Sequence, residues 1–546
     1  MPASIVHQAD RANLKPGSLA PLPPRMEASA MSRRHSSTNS WANSKVSAVV
    51  AQDGSPHRLQ SCLDSARRGG LTDLVIASPA EVGVSPYDHI TPDSGVDCFA
   101  NAMNKAVSDT TGEIVLLVPA LAQIRPGLID RYAAVFEANE QVGVVYGNYE
   151  IAVEGKPKTI QNVSADPFDL SEWSTFGYVR AIRRSVWNEV GGYDSSYRLA
   201  DDYDLRLRLG ARCQFVRIHE PLYDVVLPAD SAARRAVCAS VSRYFTPETS
   251  AVSGYGYLFL ESDLRTEVER AFLAALQRHG AFLGHRNQPF ACPHHGAEPI
   301  VSVIIPTHDR KPLLRRAIES AMEGTFRDFE IIVVDNGSAD GTAEMVERMA
   351  HLDSRIRLIR NRGRNQISAA LNLGVQAARG KYISQLDSDD EYTADTLFQQ
   401  IAHLEAEPAW GLAISYYEVI DEEGRILPEI GVIRHAEYDR NNILRTSGAG
   451  AVRTWHRCVI ENLGGFDERT FGSYAEDYDL ILKASERYDI GRVHATLYRC
   501  RRHQTNNEQR LDAQFRAERK AEARRRAILR RQTLNLRVEA TVRATD

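Results

Sequence analysis

The sequence has no long hydrophobic run and no surplus of charge of either sign. Its longest apolar segments, such as Ile114–Leu121 and Val301–Ile305, fall well short of the roughly 18 residues that cross a bilayer. Lys and Arg number 66 against 71 Asp and Glu, so the formal net charge of −5 offers no field for nucleic acid or an anionic membrane. We therefore expect a soluble protein that binds no nucleic acid.

Paired cysteines and a secretory signal are also lacking. The seven cysteines are odd in number and scattered, unlike a secreted disulfide framework. The first residues do not have the basic-then-apolar order of a signal peptide. We expect a cytoplasmic protein. Cys292 lies near His285, His294 and His295 and could join them in holding zinc, but their spacing matches no zinc pattern, so a polar linker is favoured.

Short β-branched runs alternate with helical stretches from Val46 onward and again from Val301 onward. This alternation is typical of α/β domains with largely parallel sheets. The segment 1–44 is rich in Ser, Pro and Arg and is predicted to be a disordered tail. The remaining boundaries are predicted as an α/β domain at 45–228, a helical connector at 229–298, a second α/β domain at 299–507 and an Arg-rich helical tail at 508–546.

The two α/β domains resemble each other in sequence. Asn104–Val118 aligns without a gap on Asn372–Leu386, and the Gly-Gly-Tyr-Asp string at 191–194 aligns on Gly-Gly-Phe-Asp at 464–467. The acidic pair at 201–202 aligns on the pair at 476–477. These strings are not demanded by strand and helix periodicity, so we predict an internal duplication.

In the second domain, acidic and polar residues follow the strands. Pro306-Thr307 ends one predicted strand, Asp335 ends the next, and a third runs directly into Asp387–Asp390. Ligands bind at the carboxyl ends of strands in open α/β sheets, so these side chains should face one crevice. Clustered carboxylates are suited to Mg²⁺ or Mn²⁺ shared with phosphates, although a solvated acidic turn is the alternative.

Two further candidates come later in the chain. Glu476 and Asp477 stand just before an amphipathic helix, where carboxylates either cap the helix or act as a general base. His503 follows a probable strand, where it is a metal ligand, a phosphate contact or merely solvated.

This ordered set resembles the family 2 glycosyltransferases with a GT-A fold over about residues 299–507. The resemblance implies an α/β fold of two tandem GT-A-type, Rossmann-like domains. It implies transfer of a sugar, with inversion, from a nucleotide-diphosphate sugar to a glycan, glycolipid or protein acceptor, with Mn²⁺ or Mg²⁺ as cofactor. The residues that carry it are Pro306-Thr307, Asp335–Ser338, Asn372, Asp387–Asp390, Gly464–Asp467, Glu476-Asp477 and His503.

The resemblance also implies a role for each residue. Asp477 would be the general base that deprotonates the acceptor hydroxyl, and Glu476 would position the acceptor. The metal would be held by Asp387, Asp389 and His503. The donor would be bound by Pro306, Thr307, Asp335, Asn372, Asp387 and Ser388.

Three positions depart from the family pattern. Asn336 stands where a second Asp is common, Asp309 where Asn is common, and Leu371 where an Arg often assists the nucleotide. Arg362 or Arg364 either replaces that cation or is a surface arginine.

The first domain lacks these groups in the alignment, since Pro119–Ala122 stands opposite the acidic loop and Ser78 opposite Asp335. We expect a non-catalytic copy. For the whole chain, a catalytically silent scaffold that binds sugar nucleotides or glycans is the alternative, and a nucleotidyltransferase is disfavoured because no Gly-rich loop follows the first strand. The Arg-rich tail is predicted to be a solvated helix, with peripheral membrane contact as the alternative.

Overall fold

The computed structural model describes most of the chain from residue 45 onward. The described residues are 45–51, 55–77, 98–153, 158–161, 169–171, 176–227, 262–284, 289–293, 298–363, 365–428, 430–435, 438–446, 450–503, 506 and 510–545. The predicted tail at 1–44, much of the connector and several residues named above (Ser78, Arg364, His285, His294 and His295) lie outside these ranges.

Residues 46–227, here called the first unit, alternate strands with helices. A six-stranded sheet and a smaller four-stranded sheet share this unit. Its elements are β1 (Val46–Ala51), α1 (Pro56–Arg68), β2 (Asp73–Ala77), α2 (Phe99–Ser108), β3 (Ile114–Pro119), β4 (Ala122–Ile124), α3 (Leu128–Ala138), β5 (Val142–Gly147), β6 (Tyr149–Val153), β7 (Thr159–Gln161), β8 (Arg180–Arg183), α4 (Arg184–Val190), α5 (Asp201–Gly210), β9 (Gln214–Ile218) and β10 (Tyr223–Leu227).

Residues 301–501, here called the second unit, form one large sheet covered by helices. Helix α6 (Ser262–Arg278) precedes this unit, close to the helix predicted in the connector, and α14 (Ala513–Thr545) follows it. Its elements are β11 (Val301–Thr307), α7 (Lys311–Glu323), β12 (Phe329–Asp335), α8 (Thr342–Leu352), β13 (Ile356–Arg360), α9 (Ile367–Ala377), β14 (Tyr382–Gln385), β15 (Glu391–Tyr392), α10 (Thr396–Ala406), β16 (Trp410–Ile420), β17 (Val432–Ile433), α11 (Ile443–Thr446), β18 (Arg453–His456), α12 (Arg457–Asn462), α13 (Glu476–Ser485) and β19 (Asp489–Arg501).

The main sheets of the two units have the same strand order. The first runs β2-β1-β3-β8-β5-β9, and the second contains β12-β11-β14-β18-β16-β19, extended by β13 and β15. Strand directions also agree: in each sheet the third strand pairs with the fourth antiparallel, and the first three are parallel. The predicted α/β class is thereby confirmed, while the exact domain boundaries stay predictions.

The central strands are buried on both faces because helices cover the sheet. Every residue of Val301–Thr307 and of Phe329–Asp335 is buried. Continuous apolar strands of this kind are typical of parallel sheets between helical layers. Such a rigid sheet fixes where the carboxyl ends of β11, β12 and β14 lie, and therefore where the polar residues that follow them meet.

The two units also share a turn clamped by an asparagine. Asn372 donates from Nδ2 to the carbonyl of Phe466 (3.0 Å) and accepts from its N–H (2.9 Å). Asn104 makes the same pair of bonds to Tyr193, at 2.8 and 2.9 Å. The glycine before each aromatic residue lies close to the asparagine, so the Gly-Gly-aromatic strings are a structural turn.

The Arg-rich terminal helix is not a solvated one along its whole length. Arg524 and Arg531 are buried, with only 4% and 0% of their surface exposed. Arg524 pairs with Asp169 of the first unit at 3.0 Å, and Arg531 donates to the Ser485 hydroxyl at 2.9 Å. The expectation of a solvated helix was wrong because both guanidinium groups donate to oxygens of the folded units. Arg524 links Asp169 of the first unit to the Leu444 carbonyl of the second, and Arg531 donates to the Arg440 carbonyl. Among the described residues, no helix is both long and apolar enough to cross a membrane.

The shared turn yields a stability prediction. Gly465→Ala should destabilise the fold by about 2 kcal/mol or more, because φ is 75° and a Cβ would lie 2.7 Å from Asn372 Oδ1. Gly464→Ala is the matched control: its φ is 82°, but a Cβ there has no atom within 4 Å. Urea unfolding should show the larger loss at Gly465, and equal losses would contradict the clamp.

Candidate active site

The crevice begins at two neighbouring strand ends. Thr307 and Asp335 pair in register at the carboxyl ends of β11 and β12, each only 3% exposed. Asp335 Oδ1 accepts from the Ser338 N–H at 3.1 Å, which fixes the carboxylate. The Thr307 hydroxyl is buried with no hydrogen-bond partner among the described residues, and Pro306 beside it is buried within the strand. The carboxyl ends of β11 and β12 therefore present the Asp335 carboxylate, held by a hydrogen bond, and the Thr307 hydroxyl, which has no partner among the described residues.

The acidic loop follows β14 at the same edge of the sheet. Ser388 and Asp390 are buried, whereas the Asp387 side chain is 32% exposed. Asp390 accepts from the backbone N–H of Arg501 at 2.7 Å, and burial together with the charges of Asp389 and Asp387 raises its pKa well above its usual value. Asp390 thus holds the acidic loop against the end of β19 through its hydrogen bond to Arg501, whereas Asp387 is partly exposed at the crevice.

Asp389 is the meeting point of several polar side chains. Its Oδ2 lies 2.9 Å from His503 Nε2 and accepts from Asn506 Nδ2 at 3.1 Å. The guanidinium of Arg310 contacts both Asp389 and His503. Burial favours the neutral acid, but the His503 hydrogen bond and the Arg310 charge outweigh it and lower the pKa of Asp389.

Two of the three expected metal ligands lie together. Asp389 Oδ2 and His503 Nε2 are 2.9 Å apart, but Asp387 does not complete a compact three-ligand group with them. Metal binding by this set stays a prediction. Oxygen ligands with one imidazole suit Mn²⁺, and carboxylates with substrate phosphates suit Mg²⁺.

Arg453, whose side chain is only 11% exposed, joins the acidic loop to the second acidic pair. Arg453 Nη1 lies 2.6 Å from Asp477 Oδ2, and Nη2 lies 3.8 Å from Asp387 Oδ2. Burial alone would lower the pKa of Arg453, but the charges of Asp477 and Asp387 raise it instead. Burial raises the pKa of Asp387, and Arg453 opposes that rise. Arg453 thus offsets part of the repulsion between two carboxylates that contact the same guanidinium.

Glu476 and Asp477 open helix α13. Ala475 before them has φ of 65°, a left-handed conformation that costs an ordinary side chain roughly 1–2 kcal/mol. This turn directs Asp477 to Arg453 and leaves Glu476 only 7% exposed. Burial, with a further contribution from Asp477, raises the pKa of Glu476 well above its usual value. The pair therefore consists of an ion-paired carboxylate and a group that favours its protonated form.

Two of the residues expected to bind the sugar donor have side chains that are engaged or buried within the fold. Asn372 lies in α9 and donates to both Phe466 and Glu468, so its amide is engaged in the turn described above. Ser388 is buried. A donor contact by either residue stays a prediction.

Sequence reasoning missed Arg310, Arg453 and Asn506. It sought a cation at Arg362, which is exposed, or at Arg364, which lies outside the described residues. The internal alignment contained the missing signal for Arg453, because Arg180 stands at the same position of the first unit and pairs with Asp202. Arg310 and Asn506 carry no motif that would have singled them out.

The first unit has a matching arginine–aspartate ion pair, Arg180 with Asp202, here called the arginine clamp like that of Arg453 with Asp477, but it has no acidic loop. Arg180 is 1% exposed, and Asp202 also accepts from the Tyr193 hydroxyl at 3.1 Å. Ala120, Leu121 and Ala122 are buried where the second unit carries carboxylates. The clamp is thus a property of the shared frame, and the acidic loop distinguishes the second unit.

Comparison with known proteins gives one family and several relatives. Residues 302–459 match the model of glycosyl transferase family 2. The uncharacterized glycosyltransferase EpsJ of Bacillus subtilis is 39% identical over 103 residues, covering 19% of this chain and 29% of that protein. The glycosyltransferase GlyG of Streptococcus pneumoniae is 30% identical over 128 residues, covering 23% and 42%.

One relative matches a longer part of the chain. The uncharacterized protein y4gI of Sinorhizobium fredii is 26% identical over 412 residues, covering 70% of this chain and 43% of that protein. The chain thus spans less than half the length of each of these three relatives.

A solved structure gives a looser likeness. S. aureus TarS 1–349 matches with a TM-score of 0.32 and 20% identity, covering 37% of this chain and 60% of that one. The likeness to glycosyl transferase family 2 therefore rests on residues 302–459, which match the family model, and on the motifs within them.

Proposed function

We propose that this protein is a metal-dependent, inverting glycosyltransferase that moves a sugar from a nucleotide-diphosphate sugar to an acceptor hydroxyl. The observation that carries the proposal is the meeting of two acidic sets around Arg453. Asp387 on one side and Asp477 on the other lie against the same guanidinium.

The donor would lie along the carboxyl ends of the strands. Thr307 and Asp335 would hold the base and ribose, and Asp387 would lie against the ribose. Asp387, Asp389 and His503 would hold Mn²⁺ or Mg²⁺, which neutralises charge on the diphosphate leaving group. Arg310, already beside Asp389, adds a second positive group for that diphosphate.

The acceptor would approach from the side of helix α13. Asp477 takes the proton of the acceptor hydroxyl as that oxygen bonds to the anomeric carbon, and the bond from that carbon to the diphosphate oxygen breaks. Attack opposite the leaving group inverts the anomeric centre, as in single-displacement glycosidases. Glu476, in its protonated form, donates a hydrogen bond that orients the acceptor.

The first unit would be a duplicated, non-catalytic copy. Its shared strand order, asparagine turn and arginine clamp support duplication, and its apolar residues at Pro119–Ala122 offer no metal ligands. A glycan, glycolipid or protein acceptor fits this scheme. The setting would be cytoplasmic; a peripheral membrane role for α14 would have to use its exposed face, since Arg524 and Arg531 are buried.

Asp389→Asn tests the cation site. Binding of the nucleotide sugar in the presence of Mn²⁺ should weaken by roughly tenfold or more, because one charged ligand is lost. Asp353→Asn is the control, since Asp353 is also ion-paired but precedes β13 at the opposite edge of the sheet. Calorimetry on folded variants measures both, and undiminished binding by Asp389→Asn would remove that residue from the metal site.

Asp477→Asn tests the base. Turnover should fall by roughly a hundredfold or more while donor binding stays near normal, because the amide cannot accept the proton. Glu476→Gln should lose less turnover, since the amide still donates a hydrogen bond. Near-normal turnover by Asp477→Asn would place the base elsewhere.

Glu476→Gln also makes a prediction about stability and pH. Folding raises the pKa of Glu476 above 4.5, so its carboxyl favours folding less as the pH rises through the folded value. Glutamine does not ionise. The free energy of unfolding of the variant, relative to that of the wild type, should therefore rise between about pH 5 and about pH 8. The rise is about 1.4 kcal/mol for each pH unit that lies between the unfolded and the folded pKa of Glu476.

Urea unfolding at both pH values measures the gain. Glu407→Gln, at an exposed position after α10, should show no such trend. A difference between wild type and Glu476→Gln that does not vary with pH would contradict the raised pKa.

A further inference from the structure

Three metal-ligating side chains converge away from the crevice described above. Cys292 belongs to the segment 289–293 before the second unit, His456 ends β18, and Cys458 is the second residue of α12. One ligand atom from each lies within 4.8 Å of the other two. The three residues are 5%, 7% and 2% exposed, so the cluster is internal.

The imidazole of His456 has unused polar atoms. Neither ring nitrogen has a hydrogen-bond partner among the described residues, although both are buried. Rings of Phe290 and Tyr382 pack against it, with centroids 5.2 and 4.7 Å away. A buried polar group without a partner costs about 1–3 kcal/mol, and a ligand at this ring would offset that cost.

The geometry points to a metal site, and we propose that Cys292, His456 and Cys458 bind a thiophilic divalent cation of the Zn²⁺ class. Two thiols would each release a proton to solvent and form sulfur–metal bonds, and one imidazole nitrogen would donate its lone pair. The two thiolates balance the charge of the cation, which suits a buried position.

The observed spacing is compatible with three of the four corners of a tetrahedral site. Zinc–sulfur bonds of about 2.3 Å place two thiolates roughly 3.8 Å apart, close to the arrangement within 4.8 Å found here. The two cysteine side chains already contact each other as hydrogen-bond partners. A Cys292–Cys458 disulfide would leave the imidazole without a partner, whereas a metal ion would use all three groups.

The site has a structural rather than a catalytic position. His456 pairs with Tyr382 at the beginning of β14, whereas Arg453 pairs with Gln385 at the end that leads into the acidic loop. Three residues of strand, about 10 Å, separate the metal ligand from the arginine clamp. Bound metal would tie the connector segment 289–293 to the same strand that carries Arg453.

Cobalt binding to the full chain tests the site. Apo protein reconstituted with Co²⁺ should show a sulfur-to-cobalt charge-transfer band and about one thiolate-bound metal per chain by native mass spectrometry. Cys292→Ser, Cys458→Ser and His456→Gln should each weaken or abolish the band. Cys62→Ser is the control, because Cys62 is equally buried but lies in the first unit.

Asp389→Asn should keep the band, which separates this site from the proposed catalytic cation. Absence of the band in folded wild-type protein would overturn the proposal. So would a band that persists in all three ligand variants. A mass two hydrogens lower that reductant restores, seen in the wild type and absent from Cys292→Ser and Cys458→Ser, would mark a disulfide and would also overturn it. These readouts do not depend on glycosyl transfer.

Discussion

A single, largely buried guanidinium lies between the two acidic sets of the crevice. Arg453 lies between Asp387, at the start of the acidic loop, and Asp477, at the start of α13. Without a positive charge there, two carboxylates facing each other in a poorly solvated crevice would repel, and one would take up a proton. The arginine allows both acidic sets to stand at one edge of the sheet.

The frame around this clamp is common to both units, whereas the chemistry is not. Arg180 with Asp202 and Asn104 with Tyr193 reproduce the contacts of Arg453 with Asp477 and Asn372 with Phe466. What differs is the loop after the third strand of the sheet, where one unit buries apolar side chains and the other gathers carboxylates. The chemical difference between the two units therefore lies in this loop, on a scaffold that they share.

Much of this architecture could be predicted from the sequence, because short apolar runs mark the strands and the polar residues after each run mark where the strand ends. The ends of β11, β12 and β14 predicted that Thr307, Asp335 and the acidic loop share one edge. His503 lies 2.9 Å from Asp389, while its role as a metal ligand stays a prediction. Contacts between distant segments were harder to foresee. Nothing local marks Arg453 as a clamp, Arg524 as a buried bridge to Asp169, or Cys292 as a neighbour of Cys458. Such pairings depend on how helices pack over the sheet, which periodicity does not encode.

The account is tested most directly by the fate of the sugar when water replaces the acceptor. Wild-type protein would be incubated with Mn²⁺ and a panel of nucleotide-diphosphate sugars, and the first-formed free sugar would be followed by NMR. The account predicts slow hydrolysis of one donor, dependent on the cation, to a sugar of inverted anomeric configuration. A retained configuration, or a folded protein that neither hydrolyses nor binds any donor of the panel, would contradict it.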